Sequence, residues 1–133
     1  MRSSSDRRRA VFAALLVGVG LLGVLAAWQG FAWTDTRSWV PDLLTGWTLA
    51  GLGVGVLARS RGAACLLFIA GVAWFVGDFH AAGPHWLGWL ATHLSWVFLA
   101  PLVQLAIAYP SGRPRSAATM TVVAATWAAT VAP

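Results

Sequence analysis

Three histidines and two aspartates carry most of the chemistry open to this sequence. Trp86, Trp89 and Trp96 stand at i−7, i−4 and i+3 from His93, so on one helix all four share a face. Histidine titrates near physiological pH. An ionisable side chain inside a membrane is a functional candidate by default, and a cation there would meet indole faces. A neutral, hydrogen-bonded packing histidine is the plainer alternative. Asp78-x-His80, with His85 five residues on and His93 further along, offers metal-ligand types, but the spacing matches no zinc signature. Asp78 falls at the carboxyl end of an apolar run, where a carboxylate opposes the helix dipole. His80, His85 and Arg37 are its expected compensators. Asp42 falls at the start of a run, where the dipole favours it. The signal-sensing candidates are therefore His93, Trp86, Trp89, Trp96 and Asp78, and the weak metal candidates are Asp78, His80 and His85. No catalytic residue is assigned, and no cofactor is expected.

The elements that must position these residues follow from composition. Of 133 residues, 59% are hydrophobic and 10% charged, against roughly 45–50% and 25% in soluble domains. So few charges exclude a soluble enzyme domain and a disordered chain. Cys65 is the only cysteine, which excludes a disulfide scaffold. The expectation is an all-α integral membrane bundle in the plasma membrane, multi-pass, with the lipid bilayer as its partner. The net charge of +5 comes from arginines clustered between apolar runs, which points to membrane topology and not to nucleic acid.

Charge-free runs set the segments. They cover 25 residues between Arg9 and Asp35, 16 between Asp42 and Arg59, 16 between Arg61 and Asp78, and 34 from Phe79 to Gly112. A span needs about 20 apolar residues. The short runs can be extended at their ends by snorkelling arginines, and Gly83-Pro84 breaks the long one. The reading is a basic tail over 1–9 and about five transmembrane helices at 10–30, 40–58, 63–79, 86–109 and 117–133. Pro101 should kink the fourth helix, because it removes the bond to the carbonyl of Val97. The first run is longer than a signal-peptide core and reads as an uncleaved span.

With a cytoplasmic amino terminus, eight of nine arginines fall inside and only Arg37 outside, which is a positive-inside pattern. Trp28, Trp33, Trp39, Trp86 and Trp89 then gather near the outer boundary. Small residues recur at helix-packing spacing. The pairs are Gly51 with Gly55, Gly23 with Ala27, Ala73 with Gly77 and Ala91 with Ser95; Gly46 and Ala50 precede the first. These faces suit packing within the bundle or, more sharply, a homodimer.

The turn Tyr109-Pro110-Ser111-Gly112-Arg113 combines turn-forming residues with an arginine at headgroup level. It resembles the YPSGR or FPSGR element in the amino-terminal membrane region of many actinobacterial sensor histidine kinases. Asp42-Leu43-Leu44-Thr45-Gly46-Trp47 is similar to that family's D-x-x-x-G-W segment. Gly71-Val72-Ala73-Trp74-Phe75-Val76-Gly77-Asp78-Phe79 is similar to its G-x-A-W-F-x-G-N/D-F segment. Pro101-Leu102-Val103-Gln104 leads into the turn at the family's spacing, although the family often has histidine at the position of Gln104. The resemblance covers about residues 40–115. It implies the membrane-embedded input region of a two-component kinase, with signals reaching the outer half and helices four and five carrying them inward. The kinase core is lacking here. The chain has no asparagine and no glutamate, so it phosphorylates nothing itself, and a response regulator is a partner only where a kinase domain follows. The alternative expectation is a stand-alone small membrane protein, an accessory subunit or, less favoured, a transporter.

Overall fold

The computed structural model describes residues 4–31, 33–81, 83–109 and 111–132, with side chains from Ala10 onward. The described residues include six α-helices and one 3-10 turn, and none of them is in a strand. Helix α1 is Ser4–Gly30, α2 Thr36–Val56, α3 Arg61–Trp74, α4 His85–His93, α5 Leu99–Ala108 and α6 Ala117–Val131, with the 3-10 turn at Gly77–Ala81. Two stretches, Ala10–Gly30 and Arg61–Ala81, are helical, long and apolar enough to cross a membrane. Helix α2 is as long as either. Arg37, Asp42, four glycines and three threonines make it less apolar.

Four elements differ from the sequence reading; one is α3, expected over 63–79, which ends at Trp74 and is followed by the 3-10 turn. The tail expected over 1–9 is helical from Ser4 and continues into α1. Helix α2 begins at Thr36, four residues before the expected start. Asp35 organises that start, because its carbonyl accepts from Ser38 N at 3.1 Å and its carboxylate from Ser38 Oγ. Pro41 is therefore interior to the helix and Asp42 is no longer at its amino terminus. Most consequentially, the single kinked helix expected at 86–109 is two helices. The chain leaves α4 at His93 and re-enters α5 at Leu99. Between them it forms successive i→i+3 bonds, Val97 N to Leu94 O and Ala100 N to Val97 O. Pro101 explains the restart. As third residue of α5 it occupies a position where an N–H has no intrahelical partner anyway.

The helices pack α1 on α2, α2 on α3, α3 on α5 and α5 on α6, with the 3-10 turn against α1 and α4. The tightest seam is between α2 and α3. A Cβ on Gly71 would sit 2.6 Å from Ala50 N, and one on Gly53 would sit 2.8 Å from the backbone of Ala64 and Phe68. Glycine lets these backbones approach, as small residues do in apolar surroundings. Phe75, fully buried, drives its ring between Gly46 of α2 and Gly23 of α1. It joins Val19, Ala26, Ala27, Leu43 and Ala50 in the core.

Small-residue faces sort accordingly. Gly23 and Ala27 face the core, and Gly77 meets Ser95 across the 3-10 turn. Gly51 and Gly55 face open space.

Candidate functional site

Trp74, the last residue of α3, points its indole at α2 and donates from Nε1 to Asp42 Oδ1 at 2.7 Å. Its ring is held edge-on by Phe98 at 4.6 Å. Asp78, in the 3-10 turn that follows, brings its carboxyl within hydrogen-bonding reach of Asp42. Gly30 at the end of α1 lies so close that a Cβ there would approach Asp78 Cβ to 3.1 Å. Oδ2 of each aspartate is sealed from solvent and finds no hydrogen-bond partner among the described residues. No arginine among them neutralises the pair. Two ionised carboxylates in such contact repel, whereas one proton between them makes the contact a hydrogen bond. The fold thus brings the two carboxyl groups together at the junction of α1, α2 and α3.

This corrects the expectation for Asp78. Its partner is not His80, His85 or Arg37 but the other aspartate, because α3 ends at Trp74 and the 3-10 turn rotates residue 78 inward. It also corrects the metal candidates. With Asp78 turned to Asp42, no group of three His, Cys, Asp or Glu among the described residues is arranged to hold a metal ion.

The histidines instead line a cavity of about 540 Å³ between the 3-10 turn and α4, with Trp89 and Thr92. Gly88 makes this possible, since a side chain there would strike the carbonyl oxygen of His80. His80 Nδ1 lies 3.0 Å from Gly77 O, and His93 Nδ1 lies 2.7 Å from Trp89 O. A carbonyl can only accept, so Nδ1 of each ring carries the hydrogen in these contacts.

The His93 ring lies against Trp89 with centroids 4.1 Å apart and planes tilted by 36°. The expected four-residue face is not intact. Helix α4 ends at His93, so Trp96 lies beyond it. Trp96 and His93 both line a second, apolar groove of about 620 Å³ with Val103 of α5 and Val122 and Thr130 of α6. Trp86 is 63% exposed and Trp96 64%.

At the opposite end, the Tyr109–Arg113 turn is fastened from within. Gly112 adopts a left-handed φ of 71°, for which glycine is the natural residue, and its N–H bonds Ala108 O at 2.9 Å. Ser111 Oγ accepts from Arg113 N at 3.2 Å and donates to Ala108 O at 3.1 Å. Gln104 donates to Gly112 O at 2.9 Å and accepts from Trp127 Nε1 of α6 at 3.0 Å. Tyr109 and Arg113 are exposed, and Pro110 lies outside the described residues. Gly62, at the start of α3, packs directly under Ser111 and Gly112.

Sequence reasoning singled out Asp42 and Asp78 separately and missed their pairing. It also missed Gln104 as a fastener. The signal available was that both lie in apolar stretches that offer a polar side chain few partners. Comparison with protein families, with characterised proteins and with solved structures gives no match.

Proposed function

We propose that this chain is the membrane-embedded input region of an actinobacterial-type sensor histidine kinase, with the kinase core not on this chain. In this reading five segments cross the plasma membrane, the amino terminus is cytoplasmic, and the tryptophan-rich end faces out. The pair α4 and α5 together makes the fourth crossing. The charge-free runs and the arginine alternation support the count. The apolar side chains that α1 leaves exposed, Val17, Leu21 and Leu25 among them, suit a lipid surface.

The observation that carries the reading is the Trp74–Asp42 hydrogen bond. It ties the D-x-x-x-G-W segment to the G-x-A-W-F-x-G-D segment, and Phe75 on Gly46 repeats the tie one turn deeper. Residues that carry the resemblance thus contact one another, as they would if their pattern reflected a shared architecture. Stimuli would act on the outer cavity of His80, His85 and His93 and on the carboxyl pair, and α5 would relay them to the turn at Gly112. The test is the parent reading frame. A kinase domain in frame downstream, with autophosphorylation altered by Asp42→Asn, is the expected result; a stop codon after this segment would overturn it.

A second reading, a stand-alone accessory subunit, is favoured by α6. That helix packs chiefly on α5 and leaves Met120, Val122 and Val131 exposed, a surface a partner helix could cover.

A further inference from the structure

A groove of about 540 Å³ lies between the first turns of α1 and the last turn of α2. Five of its lining residues, Phe12, Val54, Gly55, Leu57 and Ala58, are apolar, and the sixth is Arg61. Arg61 opens α3, is exposed, and forms no ion pair or side-chain hydrogen bond among the described residues. The histidine cavity and the groove beside α6 hold no permanent cation, and the cleft that does, beside Arg113 and Arg115, is smaller at about 150 Å³. Among the described residues nothing fills the wall. Farther up α2, Gly46 and Gly53 are occupied by Phe75 and by the α3 backbone, whereas a Cβ on Gly55 would meet nothing within 4 Å.

We propose that this groove binds one anionic phospholipid, its phosphate on the Arg61 guanidinium and an acyl chain along Val54, Gly55 and Phe12. The inference rests on the membrane-spanning reading above, which puts Arg61 at the cytoplasmic headgroup level. Charge complementarity selects the ligand. A guanidinium presents a planar fork of donors that matches a phosphate, and basic pockets between helices on the cytoplasmic side are suited to anionic headgroups. A free phosphate would leave the apolar wall wet, and a neutral lipid would leave the cation unused.

The test is native mass spectrometry of the full chain, released from detergent containing phosphatidylglycerol or phosphatidylcholine with identical acyl chains. The expected result is retention of one phosphatidylglycerol with about fivefold preference over phosphatidylcholine, the fold-change that about 1 kcal/mol per surface arginine produces. Arg61→Gln should remove the preference, and Arg59→Gln should keep it. Gly55→Leu should lower retention of both lipids, and Ala58→Phe, which fills the groove from the other side, should do the same. Gly18→Leu, also into open space, should not. Wild-type retention in both groove-filling variants would overturn the proposal, as would an equal loss in Arg59→Gln and Arg61→Gln. Failure of the membrane reading would show separately, as outside labelling of Ser60→Cys in intact cells.

Discussion

The indole N–H of Trp74 and the carboxylate of Asp42, 32 residues apart in the chain, meet at 2.7 Å. The contact fixes where α3 stops relative to α2. It also leaves one aspartate oxygen to be shared with Asp78.

Trp74→Phe should keep the edge contact with Phe98 and lose the bond to Asp42. A hydrogen bond to a charged group contributes about 1.5–3 kcal/mol, so the thermal midpoint in detergent should fall. Asp78→Asn should behave differently. Its amide can donate to Asp42 without needing a shared proton, so stability should hold or rise. A marked loss in Asp78→Asn would argue that the second carboxyl has another partner.

Gly46→Ala should cost about 1–3 kcal/mol, since the new methyl overlaps the Phe75 ring and overpacking is expensive. Gly51→Ala, on the same helix but facing open space, should be neutral or stabilise by up to about 1 kcal/mol through helix propensity. Chemical denaturation of the two variants side by side makes the comparison. Phe75→Leu should partly rescue the first.

Pro101→Ala supplies the missing N–H below the Leu94–Phe98 stretch. The expected outcome is extension of α5 toward Trp96, read as new amide protection at residue 101 and its neighbours in hydrogen exchange, without loss of the fold. Gln104→Leu should act at the other end of α5. It removes both the bond to Gly112 O and the acceptor for Trp127, so exchange through residues 111–116 should quicken.

Topology is open to single-cysteine labelling in a Cys65→Ala background, since the native thiol is exposed. In intact cells, cysteines in place of Ser5, Ser60 and Ser116 should resist a membrane-impermeant reagent, and one in place of Ser38 should react. Labelling at residue 60 from outside would end the five-segment reading.

What the sequence made legible was largely local. Charge gaps marked α1 and the start of α3, and the Tyr109–Arg113 turn announced itself through its residue types. The division of 86–109 was not legible, because the expected effect of Pro101 was a kink at Val97. The structure resolves the conflict upstream instead, letting the proline open a new helix. The Asp42–Asp78 pair was hidden for a different reason. Asp42 read as a favourable first-turn residue only because it stands at the start of a charge-free run. Asp35 and Ser38 start the helix one turn earlier and turn Asp42 inward.

Gly62 and Gly112 have a mechanical consequence. A Cβ on Gly112 would lie 2.7 Å from the carbonyl carbon of Gly62, so the start of α3 and the turn after α5 press backbone on backbone. Neither connection has room for a side chain or an inserted residue. Sliding of α5 along α3 is blocked at this point, so any change in the angle between them would have to turn about the two glycines. Helix α3 has 14 residues, about 21 Å at 1.5 Å per residue, so a swing of a few degrees at the glycines is magnified to an ångström or more where Trp74 meets Phe98.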